Sequence, residues 1–448
     1  MKSYLLPSKK SASRIILLGI WLSVCTATGY SKPANVVLIM ADDMGYECVG
    51  AYGGSSYETP HLDRLAEEGM RFDHCYSTPI CTASRVQIMT GKYNIFNYTR
   101  FAHINREEKT FAHLLKERGY ATCIAGKWQL GRDADAPQHF GFDTALLWQH
   151  TRGNFSNATQ TDTRYENPRI ERNGVPENYS DGEFGPDLMV KFIGEFIETH
   201  KDQPFLVYYP MLLPHSPFVP NPDSEDWNPD SPGAKKGTFT PEHFDDMIYY
   251  VDKMVGAITD QLEASGVLED TYIIFTSDNG TLSTVTSKVN DQLVKGGKGR
   301  MTDAGTRVPM LVRGPKIDAG LRSSDLVDFT DVLPTLCAIA DRDVPKKMES
   351  NGHVFLPQLR QKGERARDYV YCWYKIPDFM IKHFPGIENQ SFARTQRYKL
   401  YRSGEFYDLQ NDVREKRPLA LRSERKPAIR AKEMLQTVIN KYEARAAQ

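Results

Sequence analysis

Asn35-Val36-Val37-Leu38-Ile39-Met40 is apolar without alternation and stops abruptly at Ala41-Asp42-Asp43-Met44-Gly45. A run of strand length that nowhere alternates has to be covered on both faces, as a strand inside a parallel sheet is. The pattern recurs at Ala121–Ala125, Pro204–Tyr209 and Tyr272–Thr276, and a shorter strand is expected over Arg71–Tyr76. Helical spacing of apolar residues fills the intervals: a helix starting at Thr59, then Thr110–Arg118, Pro186–His200 and Thr240–Ser265. Apolar strands alternating with amphipathic helices predict a doubly wound α/β domain.

Such sheets carry their chemistry where strands end. Asp42 and Asp43 end the first run, and Ser277-Asp278-Asn279-Gly280 ends the last. Adjacent carboxylates repel unless a cation lies between them, and hard oxygen ligands favour Ca²⁺ or Mg²⁺; a solvated, helix-capping turn is the other reading. Lys127 follows the second run, and His215 sits between Pro214 and Pro217 after the third, a rigid placement that suits a general acid. Cys81-Thr82-Ala83-Ser84-Arg85 leads into Val86–Thr90, Gly91 and Lys92, a loop feeding a helix start. The helix end and Arg85 favour an anion beside residue 81 and are expected to lower the thiol pKa.

The stretch C-T-A-S-R followed by T-G-K resembles the sulfatase signature. Further motifs follow in that family's order: G-K-W-Q-L-G at 126–131, P-H-S-P at 214–217, T-S-D-N-G at 276–280, and Lys298 spaced from Arg307-Val308-Pro309 as the family spaces them. The resemblance implies an alkaline-phosphatase-like mixed sheet flanked by helices, with a smaller C-terminal antiparallel subdomain. It implies that Cys81 becomes Cα-formylglycine through a maturation enzyme and acts as nucleophile, with Arg85 steadying it. Asp42, Asp43, Asp278, Asn279 and the modified residue 81 would surround one Ca²⁺. Lys127, Lys298 and His215 would bind the sulfate, and His215 would protonate the departing alcohol. Two departures stand out: Asp303-Ala304 where the family has Glu-Gly, and Gln129 where it has histidine. That histidine takes a proton from the second hydroxyl of hydrated formylglycine. Glutamine can hydrogen-bond but is no base near neutral pH, so a neighbour or water is expected to take the proton.

Lys2, Lys9, Lys10 and Arg14 precede the apolar run Ile15–Val24 and small residues to Ser31, the pattern of a secretory leader over 1–31. The run is too short to span a membrane, and Val24 before Cys25 makes a poor lipid-attachment motif. Residues 32–364 are read as the catalytic domain and 365–448 as the C-terminal subdomain, an aromatic meander over Tyr369–Leu409 followed by a helix to Ala446. Leu326–Ala340 reads as a helix, and Trp148–Tyr179, with Arg152, Arg164, Arg169 and Arg172, as a long pocket-shaping loop. The 7 cysteines have no framework spacing, so at most one or two bridges are expected.

With 56 basic against 57 acidic residues, the chain lacks the basic excess of a nucleic-acid binder. The resemblance implies hydrolysis of sulfate esters, with a sulfated carbohydrate as substrate and aryl sulfates as surrogates. Two rivals are a formylglycine-dependent hydrolase of phosphodiesters or phosphonates and a non-catalytic glycan-binding relative.

Overall fold

The two faces of the strand β1 (Asn35–Ala41) explain why its sequence does not alternate. In the computed structural model Val36, Leu38 and Met40 enter one buried cluster with Leu114, Leu333 and Leu336, while Val37, Ile39 and Ala41 enter a second with Ile193, Val251 and Val255. The structure describes residues 1–3, 32–151, 161–235, 237–363, 365–378, 381, 389–420 and 426–446. The leader with Cys25, and Arg152 of the expected loop, lie outside the described residues.

The strands that follow are β2 (Met70–Tyr76), β3 (Ala121–Gly126), β4 (Thr144–Trp148), β5 (Arg169–Arg172), β6 (Val175–Asn178), β7 (Phe205–Pro210) and β8 (Thr271–Ser277). A separate hairpin, β9 (Thr286–Val289) and β10 (Gln292–Lys295), precedes β11 (Arg307–Val308), β12 (Met310–Arg313) and β13 (Leu321–Asp328). The main sheet runs β11-β2-β12-β8-β1-β7-β3-β4-β5-β6, with β13 beside β2. Its centre, β8-β1-β7-β3-β4, is parallel, and β12 is antiparallel to both its neighbours. The helices Pro60–Glu67, Gly185–His200 and Phe244–Ala264 lie at the expected positions, and Phe111–Lys116 is capped by Thr110.

Two segments differ from the sequence reading. Arg169–Arg172 and Val175–Asn178 are not loop but a hairpin added antiparallel to β4. Its outer strand is mostly exposed, so no core periodicity marks it. Leu326–Asp328 is the end of β13, and the helix begins only at Val332. Asp328 and Asp331 form a reciprocal capping box at that change of direction.

The C-terminal sheet β14 (Val370–Tyr374), β15 (Gln390–Arg394), β16 (Tyr398–Tyr401) and β17 (Phe406–Asp408) is the expected antiparallel meander. The helix Lys426–Ala446 packs Leu435, Ile439 and Tyr442 on it. Arg394 reaches from β15 to Asp303 at 2.5 Å, so one of the two residues that depart from the motif pins this sheet to the loop after Lys298. All six described cysteines are free and buried.

Candidate active site

β1 and β8 pair in register from Asn35–Thr271 to Ala41–Ser277, so their carboxyl ends open at the same level. Asp42 and Asp43 leave one strand, and Asp278 and Asn279 leave the other. The Asp43 N–H donates to Asp278 Oδ1 at 3.1 Å, and Asn279 Nδ2 donates to Asp43 Oδ1 at 2.8 Å. All four side chains are buried. Asp43 holds a left-handed backbone, φ 72°, which costs a non-glycine residue on the order of 1 kcal/mol. That conformation turns its carboxylate back across the gap to β8.

Cys81 is the first residue of the helix Cys81–Thr90, all of which is buried. Single side-chain ligand atoms of Asp42, Cys81 and Asp278 lie within 4.8 Å of one another, as do those of Asp42, Asp43 and His215. The expected lowering of the thiol pKa does not hold. Burial pushes the Cys81 thiol up, and Lys127 and Lys298 offset only part of that. Unmodified Cys81 is therefore a protonated, weak nucleophile near neutral pH.

One helical turn on, Arg85 Nη2 lies 2.9 Å from Asp278 Oδ2 and 3.8 Å from Asp42 Oδ2, and Nη1 donates to the Lys127 carbonyl at 2.9 Å. Removing this buried cation would leave the Asp278 carboxylate without its close partner, at a cost of about 3–5 kcal/mol, while Asp42 keeps Lys127. Lys127 Nζ sits 2.5 Å from Asp42 Oδ2, and Lys298 Nζ sits 2.5 Å from Asp43 Oδ2. His215 Nε2 is 3.7 Å from Asp43 Oδ2. The Gly296–Gly299 loop that carries Lys298 is packed tightly: a Cβ on Gly297 would fall 2.6 Å from the Ala304 carbonyl carbon.

These charges set one another. Burial would raise the Asp42 carboxyl, but Lys127, then His215, Arg85 and Lys298, hold it well below the usual carboxylate range. Asp278 moves up, driven by burial and then by the Asp42 charge. Burial, with Lys298, Arg164 and Lys127, keeps the His215 imidazole well below its ordinary pKa, hence neutral near pH 7. Among the described residues Asp42 Oδ1 and Asn279 Oδ1 are buried acceptors with no hydrogen-bond donor. Three carboxylates and a carboxamide oxygen, two of whose acceptors lack any donor, are a donor set that fits a hard divalent cation.

Gln129, also left-handed at φ 54°, accepts a 3.1 Å hydrogen bond on Oε1 from Thr82 Oγ1. The sequence-predicted residues Asp42, Asp43, Cys81, Arg85, Lys127, His215, Asp278, Asn279 and Lys298 are thus linked around one centre, with Gln129 tied to it through Thr82. Two groups escaped the sequence reading. Arg164, merely one arginine among several, is buried and places Nη1 2.5 Å from His215 Nδ1 and 2.6 Å from the Ser216 carbonyl. Asp162, 3.1 Å away, and the Trp148 ring, 4.6 Å beneath, hold its guanidinium. His150, buried, puts Nδ1 2.9 Å from Glu171 Oε2 on β5. It lines a cavity of about 180 Å³ together with Lys127, Gln129 and Trp148. The hairpin carrying Glu171 could have directed attention there, but it was not legible.

Residues 34–342 match the sulfatase family model, and residues 297–442 match a model described as N-sulphoglucosamine sulphohydrolase, C-terminal. The chain is 30% identical to human arylsulfatase A over 416 residues, covering 85% of this chain and 77% of that protein. It is 30% identical to human N-acetylgalactosamine-6-sulfatase over 410 residues, covering 84% and 75%. The structure of BT4656 with its substrate D-glucosamine-2-N,6-O-disulfate superposes with a TM-score of 0.72 at 23% identity, covering 92% of this chain and 99% of that one. That likeness establishes the alkaline-phosphatase-like fold. Among the described residues no helix is long and apolar enough to cross a membrane.

Proposed function

The chain belongs to the sulfatase family and is a sulfuric ester hydrolase, and from that premise we propose that it desulfates a carbohydrate, with Cys81 matured to formylglycine beside a Ca²⁺ ion. The observation that carries the reading is the convergence of Lys127, Lys298 and His215 on the Asp42–Asp43 pair at the N-terminus of the Cys81 helix. Three donors there face the place where a sulfate would meet residue 81.

Asp42, Asp43, Asp278 and Asn279 would hold the cation, with residue 81 beside them. When bound, the cation and the formylglycine supply charge neutralisation at a sulfate oxygen and a geminal-diol nucleophile. The remaining work falls to side chains already in place. Lys127 and Lys298 offset the negative charge spread over the sulfate oxygens, and being fixed by carboxylates they need no reorganisation. Arg85 holds Asp278, Asp42 and the Lys127 carbonyl in one register. His215, held at Nδ1 by Arg164, presents Nε2 to the site; neutral while no anion is bound, it would take up a proton from solvent along with the anionic sulfate ester and pass that proton from Nε2 to the departing alcohol. Gln129 orients the second hydroxyl of residue 81. His150, paired with Glu171 in the cavity Gln129 lines, is the titratable neighbour to which this reading assigns the proton.

Residues 1–31 are read as a secretory leader, 32–364 as the catalytic domain and 365–448 as the C-terminal subdomain. The mature enzyme would then act outside the cytoplasm, after passage through a formylglycine-generating enzyme. A sugar sulfate is favoured by Gln129, Gln149 and His150, polar residues that line the same cavity as Lys127. The test is release of free sulfate from a panel of desalted sulfated glycans, with 4-nitrophenyl sulfate as reference. Sulfate released from at least one glycan supports the reading. Release from the aryl ester alone contradicts the carbohydrate assignment.

A further inference from the structure

The Gly296–Arg300 loop that carries Lys298 also walls a second cavity, of about 690 Å³. Arg71, Lys295, Arg300, Arg307, Arg322 and Arg414 line it, against two acids, Asp73 and Asp303. The whole chain carries a net charge of −1, so this is a local concentration of positive charge. The two acids offset only part of it. Asp303 is engaged by Arg394 at 2.5 Å, and Asp73 bridges Arg71 at 3.2 Å and Arg322 at 2.7 Å. Among the described residues neither Lys295 nor Arg300 forms an ion pair, and Arg414 donates only to the Leu293 carbonyl at 2.7 Å. Arg71 Nε is a buried donor with no acceptor among the described residues.

Like charges gathered in a concave, partly desolvated space raise the local potential and favour an anion there. The volume is that of an ordinary small-ligand cleft. Leu293 and Val413, 62% and 41% exposed, line the same cavity and give it apolar surface beside the cations. Cations alternating with exposed apolar side chains suit a sugar that has anionic substituents and apolar ring faces. A duplex or a bilayer needs a broad basic face, whereas these charges line a cleft. We propose that this cavity is a second, non-catalytic binding site for sulfated or uronate-bearing carbohydrate. The assignment rests on the sulfatase reading for the choice of an anionic sugar.

The test uses the full chain with Cys81→Ala, so that no ligand is consumed, and titrates it with low-molecular-weight dextran sulfate. The triple variant Lys295→Ala/Arg322→Ala/Arg414→Ala removes exposed cations that make no contact with the catalytic centre. Binding is expected to weaken by at least roughly tenfold, with a shallower dependence on salt. In the Cys81-containing protein the same triple substitution is expected to leave 4-nitrophenyl sulfate turnover unchanged. Unchanged dextran sulfate affinity in the triple variant overturns the proposal. So does equally tight binding of a single-stranded oligodeoxynucleotide or of phosphatidylglycerol vesicles, which would show a general polyanion surface. Absence of aryl sulfate turnover in the wild type would count against the catalytic reading, while the binding comparison still decides on the cavity.

Discussion

Thr82, the residue after Cys81, donates a 3.1 Å hydrogen bond to the amide oxygen of Gln129, and its own hydroxyl accepts from the Ala102 N–H at 3.2 Å. The relay fixes Gln129 to the start of the helix that presents residue 81. A side chain so held can position a neighbouring hydroxyl without exchanging a proton.

Gln129→Ala is therefore expected to slow turnover by roughly tenfold or more. Alcohol release in the first turnover should change little, and sulfate release should become rate-limiting. Gln129→His should be tolerated. His150→Gln should reproduce the slow second step, because it removes the proposed proton acceptor. Rapid-quench measurement of alcohol and sulfate separately checks both. Unaltered burst and steady rates in Gln129→Ala would reduce that side chain to a structural role.

Arg164 holds His215 from behind, at Nδ1. Arg164→Lys keeps a charge but loses the planar fork that reaches both Nδ1 and the Ser216 carbonyl. Turnover of alkyl sulfates, whose leaving groups need a proton, is expected to fall by roughly ten- to a hundredfold. Turnover of 4-nitrophenyl sulfate should fall much less. Equal losses on both substrates would mean that Arg164 supports the fold and not the acid.

The cation site rests on three carboxylates and Asn279. Asp42→Asn removes one full negative charge and is expected to weaken Ca²⁺ binding by on the order of a hundredfold. Calorimetric titration of the chelator-treated protein reads this without reference to activity. Stoichiometric zinc in fully active protein, not replaceable by calcium, would contradict the assignment.

Much of this centre was legible because the elements that deliver it are buried strands. Asn35–Ala41 and Thr271–Ser277 have no alternation to hide their ends, and their terminal acids stand out against apolar runs. Arg164 and His150 were not legible. Their partners, His215 and Glu171, are brought close by a chain reversal that leaves no periodic trace, and β6 is too exposed to carry one. Sequence reads Leu326–Asp328 as helix because these three buried residues lead, through the short turn Phe329–Asp331, into the Val332 helix. The Cys81 thiol shift runs opposite to the sequence expectation for a different reason: sequence shows Arg85 but not the complete burial that outweighs nearby cations.

Acid stability should show the imprint of His74. Burial, with Arg307 and Arg394, pushes its imidazole down to about 4 from an ordinary 6.5. The unfolded chain takes up a proton below 6.5 where the folded one does not, so stability is complete above that pH and is lost as pH falls toward 4. The group accounts for about 3 kcal/mol over that interval. Chemical denaturation at pH 7 and pH 4.5 should show the loss, and His74→Gln should reduce it. An equal loss in the variant would place the acid sensitivity elsewhere.

The central claim is that residue 81 acts as formylglycine and not as a thiol. Mass spectrometry of the peptide spanning Cys81 to Arg85, from protein made in its own host and assayed for sulfate release in the same preparation, tests it most directly. The expected result is the aldehyde or its hydrate at position 81, in a fraction that tracks specific activity, with Cys81→Ala inactive and folded. Full activity from protein whose Cys81 is entirely the free thiol would contradict the account.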